Sequence, residues 1–215
     1  MFLKIGKIKE IMKAALKAGG LTVGNYDGHY LVCTDRWGVW VDCEYATNKF
    51  KATIMEVVGE LPVETCCLFE LQEGEILRIE EEKGIAPYEN WKAAKDFAKK
   101  TPIDLCLYPH ELSIFQRHSD GEYIACLRSH AFDLFSSADL EASEHIPKQP
   151  NVSPDGNCLY FKSETMIYWL YRIEVSEKVK KTLFQRMEGL DFSEEDWLCK
   201  PDSTESGESD ETLPY

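Results

Sequence analysis

Two groups of residues in this 215-residue sequence have types and spacings that could support metal chemistry. Glu81-Glu82-Lys83 follows a predicted strand and supplies the Glu-x-Lys element of a metal-dependent nuclease, for which Glu70 would be the upstream ligand. His130 and Asp133 could share one helix face, but a zinc site takes at least three protein ligands. No phosphate-binding glycine loop and no Gly-x-Ser-x-Gly motif occurs. We therefore predict no catalytic residue, no metal and no cofactor, and keep the nuclease as an alternative.

Two sets of three lysines recur at helical spacing. They are Lys9, Lys13 and Lys17, followed by Lys92, Lys95 and Lys99. Side chains three or four residues apart lie on the same side of a helix, so each set predicts a basic stripe. Such stripes can contact the phosphates of duplex DNA without reading its sequence. They are also compatible with an ordinary solvated helix, because lysine is a good helix former with a long, flexible side chain.

Four predicted helices, over residues 1–18, 48–59, 88–100 and 176–188, carry most of the positive charge. They hold 15 of the 24 lysines and arginines but only 6 of the 38 aspartates and glutamates. The rest of the chain therefore carries the acids that produce the net charge of −14. Basic helices attached to acidic strands predict a surface that faces a polyanion.

Apolar residues at helical spacing define the buried side of each helix. Five apolar residues at helical spacing mark the first helix: Ile5, Ile8, Met12, Ala15 and Leu16. Asn48 is the predicted N-cap of the second, which ends before Leu61-Pro62. The apolar side predicted for the third helix is formed by Trp91, Ala94 and Ala98, and that helix ends at Thr101-Pro102.

Short strands joined by glycine turns fill the remaining sequence. Asp27-Gly28 and Glu73-Gly74 each predict a tight hairpin. Trp37, Val39 and Val41 alternate with other residues and predict a buried sheet face, whereas Trp40 indicates that the opposite face is also partly covered. A closing hairpin is predicted over residues 158–173.

The order helix, strands, helix, strands occurs in both halves of the chain. We predict an α+β protein with two pseudo-repeated domains, over residues 1–82 and 83–175, in which a second helix of the later half covers residues 130–143. A C-terminal helix that begins at the cap Ser176 is expected over residues 176–190. An acidic, largely disordered tail is expected over residues 191–215.

The bulk sequence favours a cytoplasmic protein. There is no run of 18 apolar residues, and the lysines near the N-terminus are spread along an amphipathic pattern, so we expect neither a membrane span nor a signal peptide. The eight cysteines include no Cys-x-x-Cys pair and lie mostly in apolar runs, which favours reduced thiols.

Four segments resemble the bacterial sliding clamp, the beta subunit of the replicative DNA polymerase, and its small phage or mobile-element relatives. Residues 30–41 resemble the strand–Thr-Asp–strand segment of the clamp. Residues 49–62 are similar to its second helix with the Leu-Pro stop, and residues 69–79 resemble the hairpin that follows. Residues 166–173 are similar to a strand that closes a clamp domain.

The resemblance implies a non-catalytic ring protein whose helices face duplex DNA and whose sheets form the outside. The clamp ring has six such domains, so two per chain imply a homo-oligomer such as a trimer. Duplex DNA and replication proteins would be the partners, and all six lysines of the two stripes would lie on one shared wall. The other alternative is an acidic protein-interaction module of phage origin that binds a basic or nucleic-acid-binding partner.

Overall fold

Eleven antiparallel strands form one continuous sheet in this computed structural model, which describes residues 3–81, 85–131, 133–135 and 149–192. The strands are β1 (Leu21–Tyr26), β2 (His29–Cys33), β3 (Trp37–Asp42), β4 (Thr65–Gln72), β5 (Glu75–Glu81), β6 (Asp96–Leu107), β7 (His110–Arg117), β8 (Tyr123–Leu127), β9 (Asn151–Val152), β10 (Cys158–Lys162) and β11 (Met166–Tyr171). Their order across the sheet is β5-β4-β1-β2-β3-β11-β10-β9-β6-β7-β8. The sheet therefore ends in β5 on one side and in β8 on the other.

The helices are few and lie on both sides of the sheet. They are α1 (Ile5–Ala18), α2 (Asn48–Val58), α3 (Pro87–Ala93), α4 (Arg128–Ala131) and α5 (Glu177–Thr182), followed by a 3₁₀ turn at Phe184–Met187. The predicted mixed α+β class is therefore confirmed. None of the helices in the described part of the chain is long and apolar enough to cross a membrane.

Alternating side chains divide the sheet into two faces. On β2, Tyr30 and Val32 join the main core beneath α1 and α2, whereas Leu31 and Cys33 join a separate core with α3 on the opposite side. We call the first side the helix face and the second the back face. α5 and its 3₁₀ turn also pack on the back face, against β7 and β8 at the far end of the sheet.

The two helices of the helix face form where their apolar periodicity predicts them. Ile8, Met12 and Leu16 of α1 are buried, as expected. α2 begins at Asn48 as predicted, but its N-cap is Thr47 rather than Asn48, because the Thr47 hydroxyl accepts a hydrogen bond from the amide of Phe50 at 3.2 Å. Gly59 ends α2 in the left-handed conformation, with φ of 90°.

The hairpins predicted from glycine turns are confirmed. β1 pairs with β2 across Asp27-Gly28, and β4 pairs with β5 across Glu73-Gly74. All four turn residues have positive φ, as a two-residue turn of this hand requires. The buried row that contains Trp37 on β3 is also confirmed, and its neighbour Trp40 packs into the core of the back face.

The helix predicted over residues 88–100 is wrong in its second half. α3 ends at Ala93, and β6 begins at Asp96. Helix propensity in this lysine- and alanine-rich segment is overridden by pairing with β9 and β7. Ala94 consequently lies in the core of the back face, whereas Ala98 lies in the main core of the helix face, so the predicted apolar side does not exist.

The sheet continues across the boundary that separates the two predicted domains. β3 of the first half pairs with β11 of the second, and the main core contains Phe50 together with Phe115 and Tyr168. Whether residues 1–82 and 83–175 are separate units stays a prediction. The C-terminal helix is confirmed, because the hydroxyl of Ser176 accepts a hydrogen bond from the amide of Val179. Most of the predicted helix over residues 130–143, and nearly all of the acidic tail, lie outside the described residues.

Candidate nucleic-acid interface

The outer side of α1 and α2 carries a concentration of lysines. These two helices contain six lysines and only two acidic residues, Glu10 and Glu56. The lysines are Lys7, Lys9, Lys13, Lys17, Lys49 and Lys51. Because the apolar sides of both helices are buried against the sheet, these charged side chains are directed away from it.

Both acidic residues of this pair of helices are neutralised by lysines. Lys7 pairs with Glu10 at 2.7 Å on α1, and Lys9 pairs with Glu56 across the two helices. The hydrogen bond from Lys9 lowers the pKa of the Glu56 carboxyl below its ordinary value, with a further contribution from the charge of Lys13. No acid on α1 or α2 is therefore left to compete with an external anion for the remaining lysines.

Lys13, Lys17 and Lys49 are exposed. Within the described part of the chain, their ammonium groups have no hydrogen-bond or ion-pair partner. Lys51 is held differently, because its ammonium group donates to the carbonyl of Cys43 at 3.3 Å and lies 5.4 Å from the ring centroid of Tyr30. Three lysines of the helix face are thus positioned on rigid helices with their charge directed to solvent.

The second set of lysines lies elsewhere. Lys92 is on α3, which packs on the back face through Trp91, and Lys95 follows that helix before β6 begins. Lys99 is on β6 next to the buried Ala98, and alternation along the strand directs it away from the helix face. The expectation that all six lysines share one wall is therefore wrong, because residues 96–100 are a strand and α3 covers the opposite side of the sheet.

The residues considered for metal chemistry have structural partners instead. The ring of His130 lies against Trp37, with ring centroids 6.3 Å apart, and its Nδ1 is 3.0 Å from the hydroxyl of Ser129. Burial lowers the pKa of His130 to about 4, helped by the charge of Arg36. Within the described residues, no three His, Cys, Asp or Glu side chains are grouped as a metal ion would require. Glu82 and Lys83 of the nuclease hypothesis lie outside the described residues.

A second feature was not found from the sequence. The β4–β5 hairpin exposes large apolar side chains on both of its faces, at Leu71, Ile76, Leu77 and Ile79. The signal that could have indicated this exposure was the hairpin's position in the chain, because the next described element after β5 is α3 and not a strand that would cover it. The alternation of apolar and charged residues along β5 gave no such indication, because it predicts one covered face.

The molecule is thus a mixed α+β protein with a large antiparallel sheet and a lysine-rich pair of helices on one side. Its sequence matches no known family profile and no curated protein. Similar solved structures are beta subunits of bacterial DNA polymerase III, the family that the sequence resembles. The Thermotoga maritima beta subunit is 11% identical with a TM-score of 0.36, and the match covers 84% of this chain and 66% of that one.

Two further clamps give similar values. The sliding clamp of Bartonella birtlesii bound to griselimycin is 9% identical with a TM-score of 0.34, covering 89% of this chain and 68% of that one. The putative beta subunit of Eubacterium rectale is 11% identical with a TM-score of 0.35, covering 85% and 67%. The chain thus spans about two thirds of the length of these proteins. The likeness is loose, so a function has to be inferred from this chain's own surface.

Proposed function

We propose that this protein is a non-catalytic, DNA-associated protein of the sliding-clamp type that binds duplex DNA through its helix face. The observation that carries the proposal is the charge of α1 and α2, where six lysines accompany two acids that are both already paired. Lys9, Lys13, Lys17 and Lys49 are the proposed phosphate contacts, of which Lys9 would exchange its exposed partner Glu56 for a phosphate. The sequence resemblance to sliding clamps supports the same assignment.

The spacing of these lysines suits a phosphate backbone. Residues four apart advance about 6 Å along a helix, so Lys9 to Lys17 span about 12 Å. One strand of duplex DNA places a phosphate every 3.4 Å or so along its axis, and a row of this length therefore lies alongside about three phosphates. Contacts of this kind fix position without reading base sequence. A tether that must accept any sequence needs this property.

The proposal excludes the back-face lysines from the same duplex. Of the three lysines that the sequence also predicted as DNA contacts, Lys92 lies on α3, which packs on the back face, and Lys99 is directed to the same side by strand alternation, whereas Lys95 lies in the link between α3 and β6. A rigid duplex cannot contact both sides of the sheet at once. Replication proteins as partners, a cytoplasmic location and a homo-oligomeric state complete the proposal, as the sequence resemblance implies.

Salt-dependent binding tests the proposal. If four lysines each neutralise one phosphate, affinity for a fluorescein-labelled duplex should fall on the order of 100-fold between about 50 and 200 mM salt. Fluorescence anisotropy would measure it, with two duplexes of unrelated sequence binding equally. The duplex should remain uncut in Mg²⁺ or Mn²⁺. Absence of binding at the lower salt concentration, or cleavage of the duplex, would contradict the proposal.

A further inference from the structure

β5 is an edge strand whose outer side is open among the described residues. It pairs with β4 over seven consecutive residue pairs, from Gln72 opposite Glu75 to Cys66 opposite Glu81. At the other end of the sheet, by contrast, the outer side of β8 is partly used, because the amide of Ile173 donates to the carbonyl of Ala125 at 2.7 Å. The two ends of the sheet therefore differ in how much of their backbone can accept a new strand.

The register identifies the backbone groups that β5 directs outward. In a two-residue hairpin the pair next to the turn exchanges both hydrogen bonds, and every second pair does so thereafter. Glu75, Leu77, Ile79 and Glu81 therefore bond to β4. The amides and carbonyls of the alternate residues point away from it, at Ile76, Arg78 and Glu80. Such a row of unpaired groups is a template for another strand.

Apolar side chains flank this row on both faces of the hairpin. Leu71 and Ile76, a cross-strand pair on the helix face, are 38% and 41% exposed. Leu77 and Ile79, on the back face, are 40% and 46% exposed. Natural edge strands are commonly protected by lysine, proline or a bulge, and β5 has no lysine, no proline and a regular register. An added strand could therefore bury apolar surface on both faces at once.

The negative charge around β5 determines which kind of added strand would bind there. Residues 65–81 contain five glutamates and a single cation, Arg78. Arg78 is already bound, at 3.0 Å from Glu60 and 3.2 Å from Glu80. A second copy of β5 would bring these like charges together, and β8 is partly covered, so occupation of this edge by a second copy of the chain is disfavoured, and the proposed homo-oligomer would use other surfaces. Lysine or arginine side chains on the added strand would instead meet the excess negative charge of this hairpin.

We propose that β5 is a docking edge for an extended basic segment of a partner protein, which joins the sheet as an added strand. The partner would carry alternating apolar and basic residues and would bond to the outward groups of Ile76, Arg78 and Glu80. Backbone pairing would supply affinity, and the glutamates would supply selectivity, as in other strand-addition complexes. The site uses none of the lysines of α1 and α2, and it does not depend on DNA binding.

The experiment uses a labelled synthetic peptide of β5's length that alternates valine and lysine, titrated with the full-length protein. Arg78→Pro removes one outward amide without removing a bond to β4, and proline is tolerated at such edge positions. Arg78→Ala is the matched control, since it removes the same side chain and keeps the amide. We expect at least roughly tenfold weaker binding by Arg78→Pro than by Arg78→Ala, the effect of losing a hydrogen bond and the local strand geometry.

A modified peptide repeats the test without altering the protein. Methylating the central backbone nitrogens keeps every side chain and charge but blocks strand pairing, so binding should be lost. A peptide of alternating valine and glutamate should not bind. Equal binding by the two Arg78 variants, equal binding of the methylated peptide, or no binding of the valine–lysine peptide would each overturn the proposal. Self-association that Arg78→Pro abolishes would also overturn it, because a second copy would then occupy the edge.

Discussion

The helix face and the β5 edge belong to the same sheet but expose surfaces of opposite charge. On the helix face, α1 and α2 bury a row of large apolar side chains and expose lysines, whereas at the edge the apolar side chains of β5 remain exposed among glutamates. An acidic chain can therefore carry a basic surface when its lysines are concentrated on two helices and its acidic residues lie elsewhere. The two proposals accordingly use different interactions. The lysines of α1 and α2 would bind phosphates through their charge, whereas the backbone of β5 would pair with an added strand.

The largest expected difference between the two regions is in stability. Phe50 of α2 is fully buried beneath the helix face, so Phe50→Ala should destabilise the fold by about 3–5 kcal/mol through lost burial and a residual cavity. Ile79→Ala at the exposed edge should cost less than about 1 kcal/mol. Urea denaturation would measure both free energies of unfolding. Similar losses for the two variants would show that the edge is packed in solution, which contradicts the comparison.

A smaller difference in stability is expected between two ion pairs. Asp96 with Arg117 supports the fold, whereas Lys9 with Glu56 lies on the proposed DNA interface. Asp96 accepts hydrogen bonds from Arg117 at 2.6 Å and from Ser119 at 2.5 Å. Burial alone would raise the pKa of Asp96, but these hydrogen bonds outweigh it and hold the pKa below its ordinary value. The stability that Asp96 contributes is therefore present above the pKa of its unfolded state and is lost as the pH falls through the folded-state pKa.

Asp96→Asn should accordingly cost about 1–3 kcal/mol at neutral pH and flatten the acid side of the stability profile. The control is Glu56→Gln on the helix face, whose partner Lys9 is exposed enough for solvent to screen the pair. We expect little change in stability for this variant. Urea denaturation between neutral and acidic pH would measure both. A larger loss for Glu56→Gln would mean that the helix-face pair is a structural element rather than part of a binding surface.

The sequence predicted the parts of this fold that local rules determine. A two-residue hairpin turn of this hand needs positive φ at both positions, and the glycines of Asp27-Gly28 and Glu73-Gly74 make that requirement visible in the sequence. The helix face was predictable as well, since Ile8, Met12 and Leu16 leave the lysines of α1 only the solvent side.

Features that depend on pairing between distant segments could not be predicted. Lys95 and Lys99 were assigned to a helix, but the partners that convert Asp96–Leu107 into a strand lie in β7 and β9. The same limit hid the β5 edge, because whether a strand has a second neighbour is a property of the whole sheet. One of the two predicted lysine sets consequently lies on a helix over the helix face and the other does not, and the assignment of either set to an interface stays a prediction.

The most direct test of the account compares the two lysine sets in one assay. Lys13→Glu/Lys17→Glu and Lys92→Glu/Lys95→Glu make the same change in net charge at exposed residues, the first pair on α1 over the helix face and the second in or directly after α3, which packs on the back face. If the helix face binds duplex DNA, the first variant should lose at least roughly tenfold in affinity at about 50 mM salt, with a shallower salt dependence, and the second should change little. Equal losses in the two variants, or a larger loss in the second, would contradict the assignment of the interface to α1 and α2.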